Sequence, residues 1–193
     1  MQKFLAPFIA GFVTAFVVNF ALTAISGGKG DTASVIAGIG LGVVVAVVFY
    51  NLSGNRRTAA ASADAKIRAL AFTPTPGKAA LYLVRTGFVG KMAGMNLAVD
   101  RREVAQLKSP RFTRVDVAPG AHTLRASFGG GLAGQTKPSE LAFTCADGEI
   151  VVMKLSMGMG VLKNPVGIER SSVDAVRAEL AGMQMTAPDV GSI

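Results

Sequence analysis

The chain has 193 residues, of which 50% are hydrophobic, and it carries a net charge of +8. This length fits one globular domain of about 140 residues behind an apolar N-terminal segment, since domains usually hold ~100–150 residues. Its one cysteine, Cys145, excludes an internal disulfide and fits a reducing compartment.

Two apolar segments near the N-terminus, residues 4–25 and 33–52, contain no charged side chain. At a helical rise of about 1.5 Å per residue, each is long enough to cross the ~30 Å hydrocarbon layer of a bilayer. A cleaved signal peptide is the alternative for the first segment, but the apolar run exceeds the roughly 7–15 residues of a signal peptide core. We therefore predict a transmembrane helical hairpin over residues 1–52.

The basic residues that flank these segments predict their orientation. Lys3 precedes the first segment, and Lys29 is the one basic residue of the short connection. Four basic residues follow the second segment, namely Arg56, Arg57, Lys66 and Arg68. Because cytoplasmic flanks are enriched in Lys and Arg, we predict a multi-pass protein of the bacterial inner (plasma) membrane with both termini in the cytoplasm.

Small residues recur at four-residue spacing in both apolar segments. Gly38 and Gly42 share one face of the second segment, and Gly11 and Ala15 form a similar patch on the first. Small residues at this spacing let two helix backbones approach closely. The pattern predicts packing between the two helices of one hairpin, or a seam between protomers of a homo-oligomer.

Residues 53–77 are predicted to form a juxtamembrane linker. The stretch 58–70 is rich in alanine with scattered charges, which is typical of a short amphipathic helix or a semi-flexible tether. The Thr-Pro-Thr-Pro-Gly run at 73–77 then breaks any helix, because proline lacks an amide hydrogen and restricts the residue before it. The predicted domain therefore begins at residue 78.

Beyond residue 78, short apolar runs alternate with Gly, Pro and Asp turns, which is typical of all-β domains. Ser171 and Asp174 resemble a helix capping box, and Gly182 is a suitable helix end. We predict a small antiparallel β-sandwich, immunoglobulin-like, with one C-terminal helix over residues 78–182 and a flexible tail over 183–193. The predicted strands are 79–84, 96–100, 103–107, 112–117, 121–128, 141–145 and 150–155.

Four of these segments, in this order, resemble the DUF2846 family. They are KAALYLVR at 78–85, LAVDR at 97–101, VAPGAHTL at 117–124 and the Asp-Gly turn at 147–148 with its following strand. The resemblance covers roughly residues 78–180 and departs from the family at Arg101, where a hairpin glycine is common. It implies a β-sandwich like that of PEGA and carboxypeptidase regulatory-like domains, which mostly act as binding or spacer modules, and it implies no catalytic residue.

The residues that most often carry chemistry are few. His122 is the one histidine, and catalysis at it would need a nearby nucleophile and an orienting acid. A metal site would need more ligands than His122 and Cys145 supply. The glycine run at 129–131 lacks the Gly-Lys-Ser/Thr ending of a phosphate-binding loop. We therefore predict no catalytic residue, no metal and no cofactor.

The Met-Gly-Met-Gly segment at 157–160 joins two methionines to flexible glycines. Methionine is adaptable enough for a partner-binding surface, and equally for a buried connector. The sequence leaves both interpretations open.

Basic residues are concentrated in the first part of the predicted soluble region. Residues 56–125 carry a net charge of +9, whereas residues 126–193 carry −2. Nucleic acid is a common partner of such charge, but aromatic residues are sparse here and no Lys/Arg run exceeds two residues, so we predict no nucleic acid. Anionic headgroups attract basic residues near a membrane. The predicted lipid- or polyanion-binding residues are Arg56, Arg57, Arg101, Arg102, Lys108, Arg111 and Arg114.

The leading functional hypothesis is a non-enzymatic scaffold that presents a cytoplasmic β-sandwich to an unknown protein partner. The alternative is a module that senses anionic lipid or another polyanion through the basic residues. An enzyme is a third class, and no constellation of acid, base, nucleophile or metal ligands in the sequence favours it.

Overall fold

The computed structural model describes residues 2–26, 32–160 and 163–193 of the chain, with side chains described from Pro7 onward. The chain divides into two compact units, Met1–Gly54 and Asn55–Ile193. The first unit is helical and the second is rich in strands.

The first unit consists of two long helices, α1 (Gln2–Ile25) and α2 (Thr32–Leu52). Both are long and apolar enough to cross a membrane. They meet at the small residues: a Cβ added to Gly42 would lie 2.6 Å from the Gly11 carbonyl oxygen and 2.8 Å from Ala15 Cβ. A Cβ at Gly38 would lie 3.1 Å from the Ala15 carbonyl oxygen. The small residues therefore line a close contact within the hairpin, whereas Gly40 faces open space.

The described residues of the second unit form ten strands, two α-helices and a short 3-10 helix at Gly130–Gly134. The helices are α3 (Ala63–Leu70) and α4 (Val173–Gly182). The strands are β1 (Ala79–Arg85), β2 (Met95–Val99), β3 (Arg102–Leu107), β4 (Arg111–Val117), β5 (Gly120–Phe128), β6 (Thr136–Lys137), β7 (Ser139–Cys145), β8 (Ile150–Met157), β9 (Asn164–Ser171) and β10 (Gln184–Met185).

The strands form two sheets. One has the order β3-β2-β5-β7 and is antiparallel throughout, and the other has the order β10-β4-β1-β8-β9-β6. In the second sheet β1 is antiparallel to β4 but parallel to β8, and β10 and β6 also join by parallel pairing. The larger sheet is thus mixed, which corrects the prediction of a wholly antiparallel fold. The antiparallel pairing of the four-stranded sheet and the C-terminal helix are confirmed.

The most buried element is β1, which is buried at all seven positions because both of its faces are covered. On one face, Tyr82 and Phe112 join a core with Val176 and Leu180 of α4. Phe72, just after α3, stacks on Tyr82 with ring centroids 5.1 Å apart. Both helices therefore cover the same face of the larger sheet.

The predicted boundary at residue 78 differs from the structure, because much of the predicted linker folds with the second unit. Ala69 and Phe72 are buried in its core, and Ala60 forms a β-bridge with Thr186. Asn55 donates from Nδ2 to the Met92 carbonyl at 3.0 Å. Ala69 and Phe72 share this core with Tyr82 of β1 and with Val176 and Leu180 of α4, and a local sequence pattern does not reveal contacts between separate elements.

The predicted flexible tail is also ordered by long-range contacts. Met185 is buried in β10, which pairs with β4. The Ile193 amide donates to the Asp116 carbonyl at 2.9 Å, and the Ile193 carbonyl accepts from the Ala118 amide at 2.8 Å. The C-terminal residues therefore extend the edge of the larger sheet.

Two local predictions need correction near α4. The helix is capped by Ser172, whose hydroxyl accepts from the Ala175 amide at 3.3 Å, and not by Ser171, which ends β9. The strand β9 was missed because Pro165 and Gly167 interrupt its apolar pattern. It forms because β8 offers a complete antiparallel partner.

Candidate functional site

The strand register gathers the described residues of four loops at one end of the second unit, which we call the loop end: residues 86–94, 108–111, 129–137, and 158–160 with 163–165. Arg85, the last residue of β1, lies opposite Arg111 and beside Leu155. Phe128, the last residue of β5, lies opposite Met95, and Thr136 pairs with Asn164. Residues 161–162 of the last loop lie outside the described part.

The opposite end is made of tight turns, and we call it the turn end: residues 75–78, 100–101, 118–119 and 146–149. These turns precede or follow the other ends of the same strands. Asp100 and Arg101 have φ values of 51° and 69°, the left-handed region needed by a two-residue hairpin turn.

A buried arginine organises the loop end. Arg85 is 1% exposed, and its guanidinium donates to the carbonyls of Gly90 (2.7 Å), Ala93 and Leu107. The same group lies 5.0 Å from the centroid of the Phe128 ring. It therefore fastens loop 86–94 to the end of β3 and to β5 of the other sheet.

Burial lowers the pKa of Arg85 to about 10, so the side chain is still protonated at neutral pH. Among the described residues, no carboxylate forms an ion pair with it. Three carbonyl dipoles and one ring face stabilise the charge instead. These contacts make Arg85 the structural centre of the loop end.

Among the described residues of the loop end, three large apolar side chains project into solvent. Phe88 is 81% exposed, Met92 is 62% exposed and Met159 is 85% exposed. The Lys91 ammonium lies 5.0 Å from the centroid of the Phe88 ring. By contrast Met157 is buried, so the two methionines of the 157–160 segment have different roles, one in the core and one at the surface.

The loop end is basic. Its four loops contain five Lys or Arg residues and no Asp or Glu. In the part of the chain that the structure describes, none of the five forms an ion pair. The five residues are Lys91, Lys108, Arg111, Lys137 and Lys163.

The start of the second unit is fixed to the loop end. Asn55 donates to the Met92 carbonyl and accepts from the Gly94 amide at 2.6 Å. Arg56 follows with its amide donating to Gln106 Oε1 at 2.6 Å. The chain therefore enters this unit beside the exposed Met92.

At the turn end, His122 bonds Asp100. His122 Nδ1 lies 2.6 Å from Asp100 Oδ2, and Nε2 lies 2.8 Å from the Ala118 carbonyl oxygen. Both partners accept hydrogen bonds, so the geometry favours the imidazolium, which donates from both nitrogens. The other carboxylate oxygen accepts from the Thr123 amide at 2.8 Å. The pair thus ties the β2–β3 turn to β5.

The pKa values of this pair move apart. Burial lowers the pKa of His122, but the hydrogen bonds to Asp100 and Ala118 outweigh it, so the pKa is raised. The hydrogen bond from His122 is the main cause that lowers the pKa of Asp100. Both groups are therefore held in their charged forms, which suits a structural ion pair better than a general base.

Cys145 is also engaged in structure. Its thiol lies 3.4 Å from the Ala118 carbonyl oxygen, and burial raises its pKa, which favours the unreactive protonated form. Among the described residues, no group of three or more His, Cys, Asp or Glu could hold a metal ion. The glycines at 129–131 open a short 3-10 helix between β5 and β6.

The outer face of the four-stranded sheet carries a polar cavity of about 910 Å³. It forms because alternate residues of β2 and β5 point outward while their neighbours are buried. Arg125 and Glu140 form an exposed ion pair of 3.0 Å in its lining. Other lining residues include Asn96, Ala98, Thr123 and Ser127.

The predicted basic residues do not share one face. Arg101 and Arg102 lie at the turn end, whereas Lys108 and Arg111 lie at the loop end, separated by the length of β3. Arg57 is exposed near the start of the unit.

Two members of the predicted basic set are paired with acids. Arg56 forms ion pairs with Glu103 (3.1 Å) and Asp189 (3.0 Å). Arg114 pairs with Asp116 at 3.1 Å, and its guanidinium lies 6.0 Å from the Tyr82 ring centroid. Their charges are therefore largely engaged within the domain.

Sequence reasoning missed Phe88, Met92 and the three lysines at 91, 137 and 163. A local signal exists for the first: an aromatic residue between Gly87 and Gly90 lies in a turn, where burial is difficult. No local signal joins Lys137 and Lys163 to that loop, because strand pairing alone makes them neighbours.

Neither a model of a known protein family nor a curated protein matches this sequence. The resemblance to the DUF2846 family therefore stays a prediction made from the sequence.

Proposed function

We propose that this chain is a membrane-anchored, non-enzymatic binding module. The helices α1 and α2 span the bilayer as a hairpin, and the second unit lies on the cytoplasmic side of a bacterial inner membrane. The proposal is supported by the length and apolar surface of both helices and by the basic residues that follow α2.

In the same proposal the second unit is a β-sandwich of the type that the DUF2846 resemblance implies. The strand β1 of the larger sheet is buried at all seven positions. Its last residue, Arg85, lies over the ring of Phe128 in the four-stranded sheet. A binding role, and not catalysis, is supported by His122 and Cys145, whose polar atoms are engaged in structural contacts.

The polar cavity on the outer face of the four-stranded sheet is the proposed contact for a protein partner. This cavity is the observation that carries the proposal, because it combines an uncovered sheet face with exposed groups of both charges. Such a surface suits a polar, reversible protein interface.

The experiment compares two full-length variants in gently solubilised membranes. Ala98→Arg places a long charged side chain in the cavity, whereas Ala178→Arg places the same side chain on the exposed surface of α4. We expect partners that co-purify with the parent chain to be lost with Ala98→Arg and kept with Ala178→Arg, as measured by mass spectrometry. Equal recovery with both variants would contradict the proposed contact.

The anchor is tested separately by alkaline carbonate extraction of membranes. We expect the full chain to stay in the membrane pellet. Release without detergent would contradict the anchor.

A further inference from the structure

The loop end has the features of a surface that enters a lipid interface. Phe88, Met92 and Met159 come from two loops that follow the parallel strands β1 and β8, so their side chains project from the same end. Interfacial segments bury such side chains about 5–10 Å into the headgroup and acyl boundary. The loop that carries Phe88 and Met92 is fastened to the domain through Arg85.

The charge around these side chains selects the kind of lipid. Five Lys or Arg residues surround them, without a carboxylate in the same loops. At the turn end the corresponding turns contain the three acids Asp100, Asp147 and Glu149 together with two basic residues, Lys78 and Arg101. An anionic surface therefore attracts the loop end more strongly than the turn end.

The covalent chain limits how far the loop end can move from the end of α2. Asn55, which bonds Met92 and Gly94, follows Leu52 by three residues. Three residues span at most about 11 Å. An anchor that ends at the bilayer surface therefore holds the Met92 segment within reach of the headgroups.

Resting on the membrane anchor proposed above, we propose that the loop end docks onto the anionic lipid surface around that anchor. Phe88, Met92 and Met159 insert between headgroups, and the five basic side chains contact lipid phosphates. Docking in this orientation leaves the polar cavity and the turn end accessible to the proposed protein partner.

The absence of tryptophan from the chain makes a direct test possible. Phe88→Trp gives the full-length protein one fluorescent reporter at the loop end, and Ala146→Trp gives a matched reporter at the turn end. Met159→Trp provides a second loop-end reporter in case Phe88→Trp disturbs its loop. Each variant is reconstituted in phosphatidylcholine vesicles with or without phosphatidylglycerol, and quenching by brominated acyl chains is measured.

We expect both loop-end reporters to be blue-shifted and quenched in vesicles that contain phosphatidylglycerol, and the Ala146→Trp reporter to be unaffected. Adding Lys91→Gln, Lys137→Gln and Lys163→Gln to Phe88→Trp should lower the ratio of docked to undocked protein about fivefold per lysine. High salt should also lower the ratio of docked to undocked protein, because screening shortens the range of the attraction between the basic side chains and the lipid phosphates.

Several results would overturn the proposal. Equal quenching with and without phosphatidylglycerol would show that docking does not need anionic lipid, which contradicts the proposal. Unquenched reporters in a protein that resists carbonate extraction would overturn docking alone and favour a protein partner at this end. Unquenched reporters in a protein that carbonate releases would overturn the anchor and the docking together.

Discussion

The two ends of the strand-rich unit are built differently. At the loop end, long irregular segments are held by a buried side chain, Arg85, which donates to backbone carbonyls of three residues. At the turn end, the short β2–β3 turn is held by Asp100, a surface side chain that binds the neighbouring strand β5 directly. Long loops need a buried organiser because their own backbone groups lack regular partners.

This difference also separates the two surfaces by chemistry. The loop end exposes apolar and basic side chains, whereas the turn end exposes acids that are largely paired, as in Arg170 with Glu149 at 2.6 Å. Because the two ends differ in chemistry, a surface that binds only one of them can orient the whole domain.

The largest effect is expected from Arg85→Leu. It leaves the carbonyls of Gly90, Ala93 and Leu107 without a charged donor, so the free energy of unfolding should fall by about 3 kcal/mol or more. Unfolding of the full chain by urea in detergent micelles, followed by circular dichroism, measures this change. Hydrogen exchange should rise at residues 86–94 and stay low at residues 118–124.

The matched control is Arg125→Leu, which removes an exposed arginine from the pair with Glu140. Exposed pairs contribute little, so the change should be within about 1 kcal/mol. A similar loss in both variants would show that the loop end has no special dependence on Arg85.

A smaller, pH-dependent effect is expected at the turn end. The raised pKa of His122 adds stability that is present below its unfolded pKa near 6.5 and is lost as pH rises through the folded pKa. The lowered pKa of Asp100 adds stability that is present above its unfolded pKa near 3.8 and is lost as pH falls through the folded pKa. The pair is therefore most stabilising between these two values.

Asp100→Asn tests this pair. Because Asp100 is 42% exposed, solvent screening limits the expected loss to about 1 kcal/mol near pH 5. His122 is the one histidine, so its ring proton gives an isolated NMR signal whose titration should move to lower pH in the variant. Glu140→Gln is the control and should leave the His122 pKa unchanged; an unchanged pKa in Asp100→Asn would contradict the ion pair.

The smallest effect concerns the strained turn. Arg101 has a φ of 69°, which glycine adopts without cost, so Arg101→Gly should raise the free energy of unfolding by about 1 kcal/mol. Arg102→Gly removes the same charge from the extended strand β3 and should lower it by about 0.5–1 kcal/mol. Urea unfolding of both variants gives the comparison, and effects of equal sign would argue against backbone strain at Arg101.

Elements with a complete local pattern were predicted well. The strands predicted at 79–84 and 121–128 form as β1 and β5 with shifts of one residue at one end. The helix after residue 172 forms as α4 because Val176 and Leu180 share its apolar face. In each case a repeating pattern of buried side chains is contained in the segment itself.

The segments that were not predicted depend on distant partners. Phe72 is buried in a core that includes Val176 and Leu180 of α4, and Met185 pairs with β4, although Phe72 and Met185 lie in stretches that look like a linker and a tail. The basic residues show the same limit, since Arg56 is paired with Asp189 and Lys137 joins Lys163 only through β6 and β9. Charge content is visible in a sequence, but charge placement depends on strand order.

The sequence by itself determined the two long apolar helices, most of the strands and the excess of positive charge, because each depends on the length or periodicity of one segment. The tertiary structure decided which loops share an end, which arginine is buried and which basic side chains are left without an acid. Those features arise from strand order and register, which bring together residues far apart in the chain. The loop end exists only as a result of that pairing.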